Sequence, residues 1–300
     1  MAAAAIEAPG LRGELRRGEP LARHTSWRVG GPARTFYRPA DRDDLIAFLR
    51  ALPADEPLLW LGLGSNLLVR DGGFAGTVLA ASGRLTALGM AGADRLRAEA
   101  GVACAHVARF AARRGFVGLE FLAGIPGTMG GALAMNAGAF GGETWQRVIA
   151  VETVDRHGVV RERGPGDYAV GYREVRGPAG EWFLSGTLRL EPGDATAAQL
   201  QIRQLLDRRA ATQPTSQPSG GSTFRNPPGD FAARLIEAAG LKGLTIGGAQ
   251  VSEKHANFIV NVGDATAADI EALIAAVRER VLAVHGVALR AEVHVVGESA

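Results

Sequence analysis

Residues 118–143 read GLEFLAGIPGTMGGALAMNAGAFGGE, and this glycine-rich stretch does most to decide the fold. Its glycines leave a backbone surface without side chains, on which a flat ring or a diphosphate can lie. Two polar side chains in the stretch can hydrogen-bond such a ligand. The residues of this candidate loop are Gly124, Gly127, Thr128, Gly130, Gly131, Asn136 and Ala137.

A second glycine-rich turn, LGLGSN at 61–66, lies earlier in the chain. It departs from the dinucleotide-binding fingerprint, because Leu67 stands where the third glycine belongs and no helical pattern follows. Alone, the segment fits either a tight turn or a nest of backbone N–H groups that binds a diphosphate, with Ser65 and Asn66 as added donors. Two such loops in one domain favour a large phosphorylated cofactor.

Composition excludes several function classes. The chain has 300 residues, enough for two domains, and 33 basic against 31 acidic residues that are scattered rather than clustered. We therefore expect no nucleic-acid or membrane partner, and the modest basic bias suits anionic small ligands. Cys104 is the single cysteine, which excludes an internal disulfide and favours a reducing cytoplasm. The opening MAAAAIEAPG lacks a signal-peptide pattern, no apolar run is long enough to span a bilayer, and no histidine spacing predicts a metal site.

Hydrophobic periodicity predicts a mixed α+β protein. Capping residues predict a helix that begins after Asp230 and ends at Gly240, and another that runs from Thr266 to Gly286. The further helices are expected at 41–52, 102–114 and 197–211, and strands at 57–63, in 67–80, near 148–155, 159–163 and 182–190, and at 291–296.

Composition shifts at residues 191–194 (EPGD), and residues 212–223 (TQPTSQPSGGST) have the local character of a loop. We expect an N-terminal extension at 1–19, a cofactor-binding domain at 20–193, a connecting helix and active-site loop at 194–223, and a C-terminal substrate domain at 224–300. The active site is expected in the cleft between the two domains.

Six segments carry a family resemblance, in one order along the chain. They are HTSWRVGGPA at 24–33, LGLGSNLLVRD at 61–71, the stretch 118–143, GYR at 171–173, GGSTFRNP at 220–227 and LRAEV at 289–293. Together they resemble the UDP-N-acetylenolpyruvoylglucosamine reductases of peptidoglycan synthesis. The first half is similar to FAD domains of the p-cresol methylhydroxylase/vanillyl-alcohol oxidase type.

The resemblance implies non-covalent FAD, NADPH as hydride donor, and reduction of an enolpyruvyl ether to a lactyl ether. Arg173 would stabilise the negative charge that builds on the substrate carboxylate, because a guanidinium matches a carboxylate with two parallel hydrogen bonds. Ser222 would donate the proton, and Glu292 would donate a hydrogen bond to the forming enolate.

The resemblance also implies the binding residues. Those for FAD are Thr25, Arg28, Gly30, Gly62, Gly64, Ser65, Asn66, Leu67 and the residues of the 118–143 loop named above. Those for the UDP-sugar are Tyr172, Arg225, Asn226, Lys242, Lys254 and His255. Some members carry an inserted segment with a substrate-contacting tyrosine after the Tyr-Arg element; this chain has no tyrosine after Tyr172 and resembles the shorter subtype.

Two other functions stay open from the sequence. A flavin oxidase of the same fold would need a covalent flavin histidine or an oxygen-reactive pocket. A non-catalytic nucleotide-sugar-binding protein would bind no flavin and would be colourless. We expect the chain to act as a monomer.

Overall fold

The computed structural model describes residues 10–300. Residues 1–9 lie outside the described residues, and they include most of the expected N-terminal extension's first half and of the segment used to exclude a signal peptide. Strand β1 begins at Glu14, within the described part of that extension. The described chain forms six α-helices, which are α1 Arg42–Ala51, α2 Cys104–Ala112, α3 Met129–Met135, α4 Ala195–Thr212, α5 Ala232–Ala238 and α6 Ala267–His285.

Twenty strands accompany these helices in the described part of the chain. They are β1 Glu14–Pro20, β2 Pro32–Arg38, β3 Leu58–Leu61, β4 Leu67–Val69, β5 Phe74–Ala80, β6 Leu88–Met90, β7 Arg95–Glu99, β8 Phe116–Val117, β9 Gly138–Ala139, β10 Gly142–Glu143, β11 Val148–Asp155, β12 Val160–Arg163, β13 Ala169–Gly171, β14 Glu174–Arg176, β15 Glu181–Arg189, β16 Glu191–Pro192, β17 Thr245–Ile246, β18 Ala249–Val251, β19 Ile259–Asn261 and β20 His294–Val296.

The chain divides into two compact units that are both discontinuous in sequence. Among the described residues, unit 1 contains 10–17, 35–62 and 76–206, and unit 2 contains 18–34, 63–75 and 207–300. Two short early segments therefore belong with the C-terminal third. The domain boundaries expected from the sequence are contiguous, and they stay a prediction.

Unit 1 is built on a five-stranded antiparallel sheet in the order β12-β11-β15-β7-β6. Helix α3 packs on β15 at Gly186, where an added Cβ would lie 3.2 Å from Leu133 Cδ1. A core of buried residues from α2, α3 and the sheet, including Val107 and Val151, fills the space between these layers. This packing fixes α3, which belongs to the glycine-rich stretch, on a rigid support.

A second sheet, in the order β1-β2-β5-β3, has most residues of each strand in unit 1. Helix α1 buries Leu45, Phe48 and Leu49, and the Phe48 ring stacks on Tyr37 with centroids 3.7 Å apart. Asp41 caps the helix by accepting a hydrogen bond from Asp44 N. The predicted amphipathic helix at 41–52 is confirmed.

Unit 2 combines the antiparallel sheet β17-β18-β19, the parallel pair β4-β20, and helices α5 and α6. Its core joins residues from distant segments, among them Trp27, Leu68, Phe224 and Ile270. Helix α6 begins with the predicted capping box of Thr266 and Asp269 and ends at Gly286, whose φ is 67°. The predicted bounds of this helix are confirmed.

Two predictions of local structure need correction, and one helix was not predicted. Asp230 does not cap α5: the cap position is Phe231, and the Asp230 carboxylate is held by Arg234 and Phe231 N instead. Of the strand expected at 291–296, only β20 is a regular strand. Glu292 lies outside it because its N–H donates to Thr223 O. Helix α3 was missed, since its glycines hide a short apolar run that packs inward.

Candidate active site

A bare backbone surface lies where β3 ends beside α3 in unit 1. Thr128 immediately precedes α3 and is buried, and its Oγ1 would lie 2.7 Å from a Cβ added to Gly62. Gly131, on the exposed side of α3, would bring a Cβ no closer than 3.9 Å to Thr128 Oγ1, its one neighbour within 4 Å among the described residues. Gly62, Thr128 and Gly131 thus meet at one place, and the open side of Gly131 fits a diphosphate or a flat ring.

The other glycines of the loop serve its packing. Gly127 O accepts a hydrogen bond from Cys104 N (2.9 Å), and Gly130 N donates to Ala100 O (2.9 Å). A Cβ on Gly130 would lie 2.9 Å from the Ala100 Cβ, and one on Gly124 would collide with the Phe140 ring. These residues therefore hold the loop against its support, and their expected contact with FAD stays a prediction.

Asn136 ends α3 in the left-handed conformation, with φ 43°, and is almost fully buried. Its Nδ2 donates to Glu143 Oε2 and to Gly171 O (both 3.0 Å), and its Oδ1 accepts from Trp145 N (3.1 Å). The side chain is thus engaged by protein groups, although the sequence suggested that it binds the cofactor. Its neighbour Ala137 likewise accepts hydrogen bonds from the Thr144 hydroxyl and N–H through its carbonyl.

Arg173 lies at the tip of the hairpin formed by β13 and β14, in the two-residue turn that it makes with Tyr172. It has a φ of 56°, a conformation that a residue other than glycine rarely adopts. Its Nη2 donates to Gly138 O (2.7 Å) and its Nη1 to Asn136 O (3.4 Å). The guanidinium also lies over the half-exposed Tyr172 ring, 5.2 Å from its centroid. The structure therefore places Arg173 next to the end of the glycine loop.

In unit 2, the turn at 24–30 packs on the turn that contains Gly64. Thr25 Oγ1 donates to Val29 O (2.8 Å), and Arg28, with φ 60°, donates its N–H to Thr25 O (3.1 Å). A Cβ on Gly64 would collide with the carbonyl of His24, and one on Gly30 would lie 2.8 Å from the Val69 Cβ. Glycine is required at both positions for close approach of the backbone, whatever ligand they bind.

The turn at 64–66 is hydrogen-bonded to the backbone of Glu292, one of the expected catalytic residues. Asn66 Nδ2 donates to Glu292 O (3.1 Å), and Asn66 O accepts from His294 N (3.1 Å). Leu67 begins β4 and pairs with His294 in β20, while Ser65 is half-buried in the turn before it. The Asn66 side chain therefore positions the 292–294 backbone.

Ser222 and Glu292 lie on adjacent backbone segments of unit 2. Glu292 N donates to Thr223 O at 2.8 Å, and Phe224 forms an antiparallel bridge with Ala291. Both Ser222 and Glu292 are half-buried. A main-chain hydrogen bond thus joins Glu292 to the residue that follows Ser222, although the two segments are far apart in the chain.

The expected substrate-binding residues of unit 2 already contact protein groups. Asn226 Oδ1 accepts from Ala232 N (3.1 Å) at the start of α5, and Lys242 Nζ pairs with Glu237 (2.8 Å). Lys254 Nζ donates to Ala210 O, and Arg225 N donates to Arg290 O. Burial lowers the pKa of His255, so its ring is neutral at pH 7. A diphosphate would have to compete for the two lysines.

Sequence reasoning missed Asn257, which hydrogen-bonds the serine loop, and Trp27, on whose ring Gly220 packs. Asn257 lies two residues after the expected His255, but an asparagine in a short polar stretch carries no signal of its partner. Within residues 10–300, no three or more His, Cys, Asp or Glu side chains are grouped to hold a metal ion. None of the described helices is both long and apolar enough to cross a bilayer.

Two family models match separate parts of the chain. An FAD binding domain matches residues 33–164, and a UDP-N-acetylenolpyruvoylglucosamine reductase C-terminal domain matches residues 213–296. The bare surface around Gly131 fits the first match, since it can accept a flat or phosphorylated ligand. The fold and the site therefore define an FAD-dependent oxidoreductase, and the predicted α+β class with an FAD-binding domain and a C-terminal domain is confirmed.

Full-length relatives specify the family. The chain is 66% identical over 96% of its length to the UDP-N-acetylenolpyruvoylglucosamine reductase of Alkalilimnicola ehrlichii, and covers 96% of that protein. It is 64% identical to the enzyme of that name from Methylococcus capsulatus, with 99% and 97% covered. The crystal structure of the reductase from Thermus caldophilus is similar, with a TM-score of 0.81, 34% identity and coverage of 95% and 98%. The chain belongs to the UDP-N-acetylenolpyruvoylglucosamine reductase family, which confirms the resemblance and the prediction of FAD as cofactor.

Proposed function

We propose that this chain uses NADPH and non-covalently bound FAD to reduce the enol ether of UDP-N-acetylglucosamine enolpyruvate, giving UDP-N-acetylmuramate. The hydrogen bond between Glu292 N and Thr223 O supports the proposal, because it joins the backbone of the expected helper to the residue that follows the expected proton donor. Relatives named for this reaction match over nearly the whole chain. The alternatives of an oxidase and of a non-catalytic binding protein are not favoured by these relatives.

Bound FAD supplies hydride transfer from NADPH to the substrate, and the protein must manage the charge that results. The substrate double bond gains a hydride at its methylene carbon and a proton at the carbon that bears the carboxylate. Negative charge therefore builds on the carboxylate oxygens before the proton arrives. The protein must stabilise that charge and hold an acid near the second carbon.

Arg173 meets the first need in this proposal. Main-chain carbonyls of Asn136 and Gly138 hold its guanidinium, so its orientation is set before the substrate binds. A fixed guanidinium costs little reorganisation when charge develops, and it can offer two parallel N–H groups to a carboxylate. Tyr172, whose ring lies under the guanidinium, would contact the substrate beside it.

Ser222 and Glu292 meet the second need. Ser222 would pass its hydroxyl proton to the substrate carbon, since an enolate is a strong enough base at carbon to accept it at close range. Glu292, in its acid form, would donate a hydrogen bond to the enolate oxygen. The common attachment of these two residues to Thr223 keeps the spacing between their backbones constant.

Ser222→Ala tests the proposal. Substrate-driven reoxidation of the reduced flavin should fall by roughly 10²–10⁴-fold, the usual contribution of a positioned general acid, while flavin reduction by NADPH stays near normal. Ser222→Cys, which retains a transferable proton, should recover part of the rate. Ser219→Ala, in the same loop, is the matched control and should behave like wild type in both half-reactions, measured anaerobically by stopped flow. Wild-type reoxidation by the Ser222→Ala protein would remove Ser222 from the mechanism.

We further propose that Arg225, Asn226, Lys242, Lys254 and His255 bind the UDP-sugar, and that the protein is a cytoplasmic monomer. Lys254→Met should raise KM for the substrate with little change in kcat, because the lysine contacts a non-reacting part of the ligand. Loss of kcat at unchanged KM would argue against this role. Light scattering of the purified holoenzyme and fractionation of cells test the oligomeric state and the location.

A further inference from the structure

The backbone of Thr223, Phe224 and Arg225 is hydrogen-bonded on both sides. Thr223 N donates to Asn257 O (2.8 Å), and Thr223 O accepts from Glu292 N (2.8 Å). Phe224 N donates to Asn257 Oδ1 (3.0 Å), and Phe224 O accepts from Asn257 Nδ2 (2.8 Å). Arg225 N donates to Arg290 O (2.9 Å). Nearly every backbone polar group of this short segment therefore has a partner, and Asn257 supplies three of the bonds.

Asn257 acts on Phe224 as a neighbouring strand would. Its carboxamide accepts from the N–H and donates to the C=O of the same residue, a pattern that two backbone residues usually make in a sheet. Asn257 is 4% exposed and Phe224 is 2% exposed, so water cannot replace these bonds. The side chain at position 257 must both donate a hydrogen bond and accept one. Neither aspartate nor leucine can do both in place of asparagine.

Ser222 lies between this fixed segment and a second fixed point. On its N-terminal side, Gly220 packs so closely on Trp27 that an added Cβ would lie 2.5 Å from Cζ3, and Gly221 turns the chain with φ 75°. On its C-terminal side, the bonds from Asn257 hold Thr223 and Phe224. The backbone of Ser222 has little freedom to shift, and Glu292 is tied to the same segment.

We propose that Asn257 is a positioning residue for the reaction: it holds Thr223 and Phe224 so that the Ser222 hydroxyl and the Glu292 carboxyl lie at their working separation. The proposal rests on the proposed function, since it takes Ser222 and Glu292 as the reacting groups. Asn257 contacts neither reacting atom through its side chain in this scheme. Its effect should therefore appear in the rate of the substrate half-reaction rather than in flavin reduction.

Asn257→Leu, which keeps the branching of the side chain at Cγ and removes both hydrogen bonds, tests the proposal in the holoenzyme. Asp71→Ala is the matched control, because the Asp71 carboxylate also makes two bonds to backbone N–H groups of unit 2, those of Ala267 and Ala268 (2.9 and 3.0 Å). Amide hydrogen exchange, read by mass spectrometry, reports how tightly each segment is held. Stopped-flow measurements give the two half-reactions.

We expect Asn257→Leu to speed exchange of the Thr223 and Phe224 amides and to slow substrate-driven reoxidation by about 10²-fold, the effect of a displacement near 1 Å. NADPH-driven reduction should change less than about twofold, and KM for the substrate should change less than kcat. Asp71→Ala should speed exchange at the start of α6 and leave both half-reactions at wild-type rates. Should Asn257→Leu fail to fold, Asn257→Asp, which keeps the shape and the acceptor for Phe224 N, is read by the same criteria.

Full substrate-driven reoxidation in an Asn257 variant whose 223–224 amides exchange rapidly would overturn the proposal. Equal loss of both half-reactions in that variant would also overturn it, because it would show a general structural role. Ser222→Ala, measured in parallel, separates the two proposals. If Ser222→Ala reoxidises at the wild-type rate, the proposed function fails; if Ser222→Ala is slow and the loosened Asn257 variant is not, only the positioning role fails.

Discussion

Replacing Gly131 by alanine separates the stability of α3 from the affinity of the protein for FAD. Gly131 lies inside α3, and a Cβ there would meet only Thr128 Oγ1, at 3.9 Å, which is an ordinary contact distance. Its φ is not in the left-handed region that L-residues avoid, so alanine can adopt its conformation without strain. The added methyl group therefore makes no steric clash with the protein itself.

The magnitude follows from helix propensity. Alanine is more favourable than glycine in a helix interior by about 0.5–1 kcal/mol, because glycine loses more conformational freedom on folding. For a chain of this size that gain corresponds to a rise in Tm of about 1–3 °C in the FAD-free protein. If the bare face of Gly131 contacts FAD, the methyl group displaces the cofactor, and a loss of about 1.4 kcal/mol or more raises the Kd for FAD at least about tenfold.

Thermal unfolding of the FAD-free protein and fluorescence titration with FAD measure the two effects separately. Gly166→Ala is the control, since Gly166 has an ordinary φ and no atom within 4 Å of an added Cβ among the described residues. It should leave the Kd for FAD unchanged. An unchanged Kd for Gly131→Ala would show that Gly131 does not face FAD, and a lower Tm of its FAD-free form would refute the packing argument.

Four further predictions follow from other contacts. Gly220→Ala, which brings a methyl group into the Trp27 ring, should destabilise the protein by about 1–3 kcal/mol in urea unfolding, whereas Gly166→Ala, whose added Cβ meets no described atom within 4 Å, should not. Asp71→Ala should lower the free energy of unfolding by about 0.5–2 kcal/mol, because two backbone N–H groups of α6 lose the carboxylate that accepts from them. An unchanged urea midpoint would refute this. Burial raises the pKa of Glu152, but hydrogen bonds from Arg97 and Ser185 and the charge of Arg42 bring that pKa below its ordinary 4.5. The stabilisation from the ionised Glu152 is therefore present above pH 4.5 and is lost as the pH falls through the pKa of the folded state. Glu152→Gln should lower the stability at pH 7 and make the stability depend less on acid pH. Acid precipitation should release all flavin into the supernatant as FAD, and colour left in the pellet would contradict non-covalent binding.

Local signals in the sequence predicted the regular elements well. The helix with Leu45, Phe48 and Leu49 on one face, and the helix with Thr266 and Asp269 at its start, are specified by residues within each element. Periodicity and caps depend on neighbours in the chain, and those neighbours are visible in the sequence. The α5 cap was predicted wrongly for the opposite reason: Asn226, which accepts from Ala232 N, lies outside the usual cap position.

Contacts between distant segments were not predictable in this way. The sequence suggested that Ser222 and Glu292 belong to one site, but only through a resemblance, and it contained no sign that Thr223 O and Glu292 N are bonded. The partner of Asn257 is likewise set by tertiary packing. Similarly, the interleaving of 18–34 and 63–75 with the C-terminal third follows from core contacts such as those of Trp27 and Leu68.

The glycines show most directly what sequence can and cannot specify. A glycine-rich stretch predicts that backbone must come close to something, but not to what. At Gly62 the neighbour is the Thr128 hydroxyl, at Gly220 it is an indole ring, and at Gly131 the space is open apart from Thr128. Only the open case leaves room for a ligand in the place of the missing side chain, because at the other two that place is already filled by the protein. At Gly131, therefore, a bound cofactor would require glycine, whereas helix stability favours alanine. The Gly131→Ala variant measures these two effects separately.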